Sequence, residues 1–98
     1  MSLGAGKYYF NLGALLLETG QGDAAAEQFK HAIDADPNYA EAQYQYGMAL
    51  VAKATLASNG KMVAPPGTLE AFRKYLALAP KGPNAQSAKD MIAALGNQ

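Results

Sequence analysis

Cysteine is absent from the chain and histidine occurs once, as His31. The first absence excludes disulfides, thiolate nucleophiles and cysteine zinc sites, and it leaves the redox compartment undetermined, and with it the localisation. His31 has only Glu27 and Asp34 beside it at helical spacing, short of the four ligands a structural zinc site takes. A solvated helix face is the expected reading of that trio. No apolar run is long enough to span a bilayer. The N-terminus lacks the basic, apolar and small-residue order of a signal peptide, so no membrane contact is expected. Eight Lys+Arg balance eight Asp+Glu, which removes the basic excess typical of a nucleic-acid binder. Arg73, Lys74, Lys81 and Lys89 do gather in the second half, but no aromatic platform accompanies them.

The common phosphate-binding patterns are missing as well. After Gly4-Ala5-Gly6 the third glycine's place holds Tyr9. Before Gly60-Lys61 the first glycine's place holds Thr55, and Met62 stands where Ser or Thr is needed. Asp34, Asp36 and Glu41 surround a turn and a helix start, where carboxylates cap and favour the helix dipole. No nucleophile, base and metal set emerges, so neither an enzyme nor a cofactor is expected.

What is present suits a small folded domain. Half of the 98 residues are hydrophobic and 16% are charged, a balance that buries a core, though a thin one at this length. Residues 1–98 are read as a single domain. Met1-Ser2-Leu3 reads as a cloning remnant, so the natural protein is expected to continue beyond these ends. The charges are unevenly spread. Residues 1–50 set Lys7 and Lys30 against six carboxylates, and residues 51–98 set six cations against Glu70 and Asp90, giving formal charges of −4 and +4.

An internal repeat organises the hydrophobic positions. Within residues 6–37, Tyr9, Leu12, Gly13 and Leu16 are followed by Ala25, Phe29, Ala32 and Pro37. The order is aromatic-x2-Leu-Gly-x2-large, then Ala-x3-Phe-x2-Ala, then Pro. It resembles the tetratricopeptide repeat at every signature position, with Tyr9 for the usual Trp and Leu16 for the usual Tyr. Small residues at Gly13 and Ala25 let two antiparallel helices approach, and Pro37 ends the second. A step of 34 residues carries Gly13 to Gly47 and Leu16 to Leu50, while Phe72 and Pro80 lie 43 residues beyond Phe29 and Pro37. A second repeat over 40–80 therefore carries nine extra residues, placed at about 54–66. Thr68 and Tyr75 stand where its small alanines belong.

Five helices are expected. The first spans about 6–19 and the second about 23–35, joined by Gly20-Gln21-Gly22. The third starts after Asn38, which with Glu41 three residues on resembles a capping box, and its helix-favouring residues run to about Ser58, where Asn59-Gly60 stops it. The fourth runs about 66–79, with Pro66 in its first turn. The fifth, 83–95, puts Ala85, Ala88, Met91, Ile92 and Leu95 on one stripe and is similar to the closing helix of such arrays. The fold class is all-α, and the resemblance implies a short right-handed superhelix of stacked hairpins.

The resemblance also implies a concave groove lined by the first helix of each repeat, taking an extended peptide or a partner segment. From the first repeat it would present Lys7, Phe10, Asn11, Ala14 and Leu17. From the second it would present Glu41, Tyr44, Gln45, Met48 and Val51, with Asn84, Ser87 and Met91 completing the wall. Phe10, Tyr44 and Met48 would serve as apolar anchors, and Asn11 and Gln45 as hydrogen-bonding groups for a peptide backbone. The other reading of Phe10, Leu17 and Met48 is packing between repeats or under the closing helix. The pattern by which some repeats grip a chaperone's carboxylate tail is not met, because Phe10 and Ala14 hold the places of its Lys and Asn. An interaction module is thus the expected function. The alternative is a self-associating unit, a homo-oligomer joined through the acidic and basic halves.

Overall fold

The computed structural model of the chain describes residues 3–96; Met1 and Ser2 of the expected remnant lie outside the described residues. Five helices follow in order: α1 (Leu3–Glu18), α2 (Gly22–Ala35), α3 (Ala40–Val51), α4 (Thr68–Leu78) and α5 (Ala85–Gly96). A small antiparallel hairpin, β1 (Thr55–Leu56) with β2 (Met62–Val63), lies between α3 and α4. The architecture is all-α, and each helix packs chiefly on the next one in the chain.

The turn from α1 to α2 is set by Gly20. Its φ of +79° is the left-handed region that glycine enters without a Cβ penalty. This lets the Gly20 N–H donate to Leu17 O at 3.1 Å and the Gln21 N–H to Leu16 O at 2.9 Å, closing the helix end with its carbonyls satisfied. α2 then folds back on α1, and Phe29 presses against Gly13. The same contact recurs between α3 and α4, where Phe72 presses against Gly47. Both rings are fully buried, and burial of each contributes roughly 1.5–3 kcal/mol.

Two core clusters result. Phe29 gathers Ala25, Ala26 and Ala49, with Phe10, Leu16, Leu17 and Tyr46 at the edge. Phe72 and Tyr75 gather Tyr44, Ala85, Ala88 and Leu95. Thr68 and Tyr75, at the positions corresponding to Ala25 and Ala32, are as buried as those alanines. Their hydroxyls stay satisfied. Thr68 Oγ1 donates to Pro65 O at 2.7 Å, and Tyr75 Oη accepts from the Asn84 N–H at 3.0 Å.

Three sequence expectations are corrected; one is Pro66, which precedes α4 instead of lying in its first turn, because that helix starts at Thr68 with Gly67 as its N-cap. The third helix stops at Val51 rather than Ser58. Tight turns, Lys53 N–H to Leu50 O and Ala54 N–H to Val51 O, end it, and the chain pairs Thr55 with Val63 and Leu56 with Met62. Asn59 Oδ1 accepts the Lys61 N–H at 3.0 Å and Gly60 takes a φ of +80°, so Asn59-Gly60 turns a hairpin instead of stopping a helix. All four strand residues are exposed and stay outside the core. The start of α3 also differs. Its N-cap is Tyr39, with no side-chain cap, and not Asn38. Asn38 instead donates its backbone N–H to Asp36 Oδ1 at 3.2 Å, and Glu41 turns to another partner.

Candidate partner-binding face

On α1, the expected groove residues divide by depth. Lys7 and Asn11 are exposed, while Phe10, Ala14 and Leu17 are half-buried. Phe10 stacks on Tyr39 with ring centroids 5.0 Å apart and tilts against Phe29 at 5.7 Å. Leu17 packs against the same cluster. Phe10 thus seals the joint between the first hairpin and Tyr39, the residue that precedes α3.

On α3, the closing helix has claimed most of the wall. Tyr44 is buried, with its ring centroid 5.9 Å from Phe72 and 5.5 Å from Tyr75. Its hydroxyl shares a 2.9 Å hydrogen bond with Ser87 Oγ. Glu41 accepts from Asn84 Nδ2 at 3.1 and 3.3 Å. Met48, Val51 and Met91 pack around this cluster. Asn84, Ser87 and Met91 therefore fasten α5 to α3 rather than extend an open groove. The 34-residue step could not reveal this, because the stripe of α5 says that it packs but not on which residues of α3.

Of the ten residues expected, only Tyr44 is buried; Lys7 and Asn11 are exposed and the other seven are half-buried. Lys7, Asn11 and Ala14 of α1 and Gln45 of α3 are at least partly exposed, and neither side-chain amide has a hydrogen-bond partner among the described residues. Asn11 and Gln45 are 34 residues apart, the same place on the two hairpins. Each carries one acceptor and two donors. Just before α3, the Tyr39 hydroxyl is held above its ordinary pKa by burial first, and then by the carboxylates of Glu41 and Asp36.

Two clefts lie elsewhere, and neither includes an expected groove residue. One, of about 450 Å³, runs between the hairpin and α4 and is lined by Met62, Val63, Pro65, Leu69 and Leu95 among others. The other, of about 610 Å³, lies between α2, α3 and α4, with Lys30, Tyr46, Glu70, Arg73 and Lys74 on its walls. The Arg73-Lys74 pair was legible as a charge cluster, but its approach to Lys30 depends on how α2 and α4 face one another. His31 is exposed and lies beside Tyr9, ring centroids 5.1 Å apart. Its neighbour Asp34 pairs with Lys30 at 3.8 Å. No protein-family model matches the chain, and no curated protein matches it significantly.

Proposed function

We propose that the chain is an interaction module of the tetratricopeptide kind, holding an extended segment of another protein across α1 and α3 and catalysing no reaction itself. One observation carries the reading: Asn11 and Gln45 occupy equivalent places on the two hairpins, and their amides have no hydrogen-bond partner among the described residues. Two such groups in register suit an extended backbone, which offers donors and acceptors at regular intervals. The paired Gly13–Phe29 and Gly47–Phe72 contacts support the repeat on which that register depends. Ala14 and Met48, each three residues beyond one amide and half-buried, supply the apolar ground beside them. The alternative, attraction between acidic and basic halves of different chains, is the weaker reading because Lys53 and Asp23 already bridge the halves internally at 2.8 Å.

The test is selection from a random library of peptides about twelve residues long, long enough to cross both helices. Titration of a selected peptide into ¹⁵N-labelled protein should shift the amides around Asn11, Ala14, Gln45 and Met48. Asn11→Ala and Gln45→Ala should each weaken binding about five- to tenfold, the worth of one hydrogen bond. Shifts confined to the cleft between α2 and α4, or selection no better than on a blank surface, would refute the proposal.

A further inference from the structure

The outer face of α1 has a pattern that α2 does not use. Its exposed residues include Gly4, Tyr8, Asn11, Leu15 and Glu18, with Lys7 beside them. The steps are four, three, four and three residues, the seam spacing of a paired helix. Tyr8 and Leu15 are 64% and 57% exposed, among the most exposed large apolar side chains described. α1 carries only two charges, Lys7 and Glu18, and neither has an ionic partner among the described residues. Glu18 is moreover the last residue of α1, the end where the helix dipole disfavours a carboxylate.

We infer that α1 pairs antiparallel with α1 of a second copy of this chain, about a two-fold axis passing beside Asn11. The stripe is complementary to itself when reversed. With Asn11 facing Asn11 of the other copy, Tyr8 meets Leu15 and Leu15 meets Tyr8, as an isologous contact requires. Glu18 then lies over Gly4 of the other copy, at the positive end of a helix whose first turn has no acid of its own. Lys7 comes to about 4.5 Å from Glu18 along the axis, given about 1.5 Å of rise per residue, and both side chains are long enough to meet. Gly4 leaves room for that approach. A central Asn pair fixes this register, because a shift would leave the amides facing apolar groups. A different helix would need to match apolar, amide and charge positions independently, whereas a second copy matches them by symmetry.

A single helix pair buries less than the roughly 1,200 Å² of a standard interface, so the dimer is weak and concentration-dependent. The pairing does not rest on the peptide-binding reading. The two meet at Lys7 and Asn11, so a bound segment and a second copy exclude one another there.

Sedimentation equilibrium of the 98-residue chain, without any peptide, tests the pairing. From about 10 µM to about 1 mM, the average mass should climb from 10.3 kDa toward twice that value. Leu15→Glu, at an exposed position, should abolish the climb with the helical circular dichroism unchanged. Each substitution acts twice in a symmetric dimer, so Lys7→Glu and Glu18→Lys alone should each weaken pairing roughly tenfold. Together, Lys7→Glu/Glu18→Lys should restore it. A chain that stays monomeric at about 1 mM in low salt overturns the inference, and the face then belongs to a helix from elsewhere. Association that survives Leu15→Glu, or a double variant no better than the single ones, overturns it too.

Discussion

Gly13 lies so close to Phe29 that a Cβ on the glycine would come within 2.7 Å of the ring carbon Cε1. No flexible tail is available to move aside, because the ring is fully buried among Ala25, Ala26 and Ala49. Overpacking of this kind costs about 1–3 kcal/mol, and alanine's better helix propensity returns about 1 kcal/mol. Gly13→Ala should therefore bring no gain and a net loss of up to about 2 kcal/mol by chemical denaturation, and Gly47→Ala should behave alike against Phe72. Gly22 is the control. Nothing lies within 4 Å of a Cβ there, so Gly22→Ala should raise stability by about 0.4–1 kcal/mol. A Gly13→Ala variant more stable by about 1 kcal/mol, the propensity gain alone, would mean that α1 and α2 do not approach this closely.

Those contacts were legible in the sequence because they are pairwise and local. Gly13 and Phe29 fall sixteen residues apart across one turn marked by Gly20-Gln21-Gly22, and helical periodicity aims both inward. The end of α3 was less legible. Residues 52–58 favour a helix individually, yet the pairing of Thr55 with Val63 is a non-local contact that propensity does not weigh. Tyr44 shows the same limit at the candidate face. Its register marks it as a surface anchor, but the helix that buries it begins forty-one residues later, at Ala85. Exposure on an isolated hairpin is thus readable from spacing, whereas exposure in the assembled chain depends on what docks afterwards.

Tyr44 should accordingly report on folding before it reports on binding. Tyr44→Ala removes an aromatic ring lodged between Phe72 and Tyr75 and should cost about 3–5 kcal/mol. Ser87→Ala removes only the 2.9 Å hydrogen bond to the Tyr44 hydroxyl and should cost about 1 kcal/mol. In a double-mutant cycle Tyr44→Phe and Ser87→Ala should be far from additive, because each removes the same bond. Additive losses by urea denaturation would show that the hydroxyls do not meet.

Tyr75 offers a sharper test of how α5 is held. Its hydroxyl accepts the Asn84 backbone N–H just before α5 begins, and its ring is wholly buried. Tyr75→Phe keeps the ring but strands that donor, which costs about 1–3 kcal/mol. The loss should appear locally. Hydrogen exchange at Asn84 and in the first turn of α5 should accelerate more than exchange at Phe29. Uniform acceleration across the chain would mean that α5 opens only with global unfolding.

Alkaline pH tests the Tyr39 environment. Burial raises its phenol pKa, and the negative charges of Glu41 and Asp36 raise it further. The native state therefore holds this proton at pH values where the unfolded chain, near the ordinary value of about 10, begins to release it. Unfolding releases a proton across that window, so stability must fall as pH rises from there toward the raised native value. The contribution is fully present below the unfolded pKa, which makes neutral and mildly acidic solution uninformative. Tyr39→Phe keeps the ring that stacks on Phe10 and abolishes the ionisation. In urea melts above about pH 10 the variant should lose less stability with each rise in pH than the parent, and at pH 7 the two slopes should agree. Equal slopes in alkali would place Tyr39 in water, away from both carboxylates.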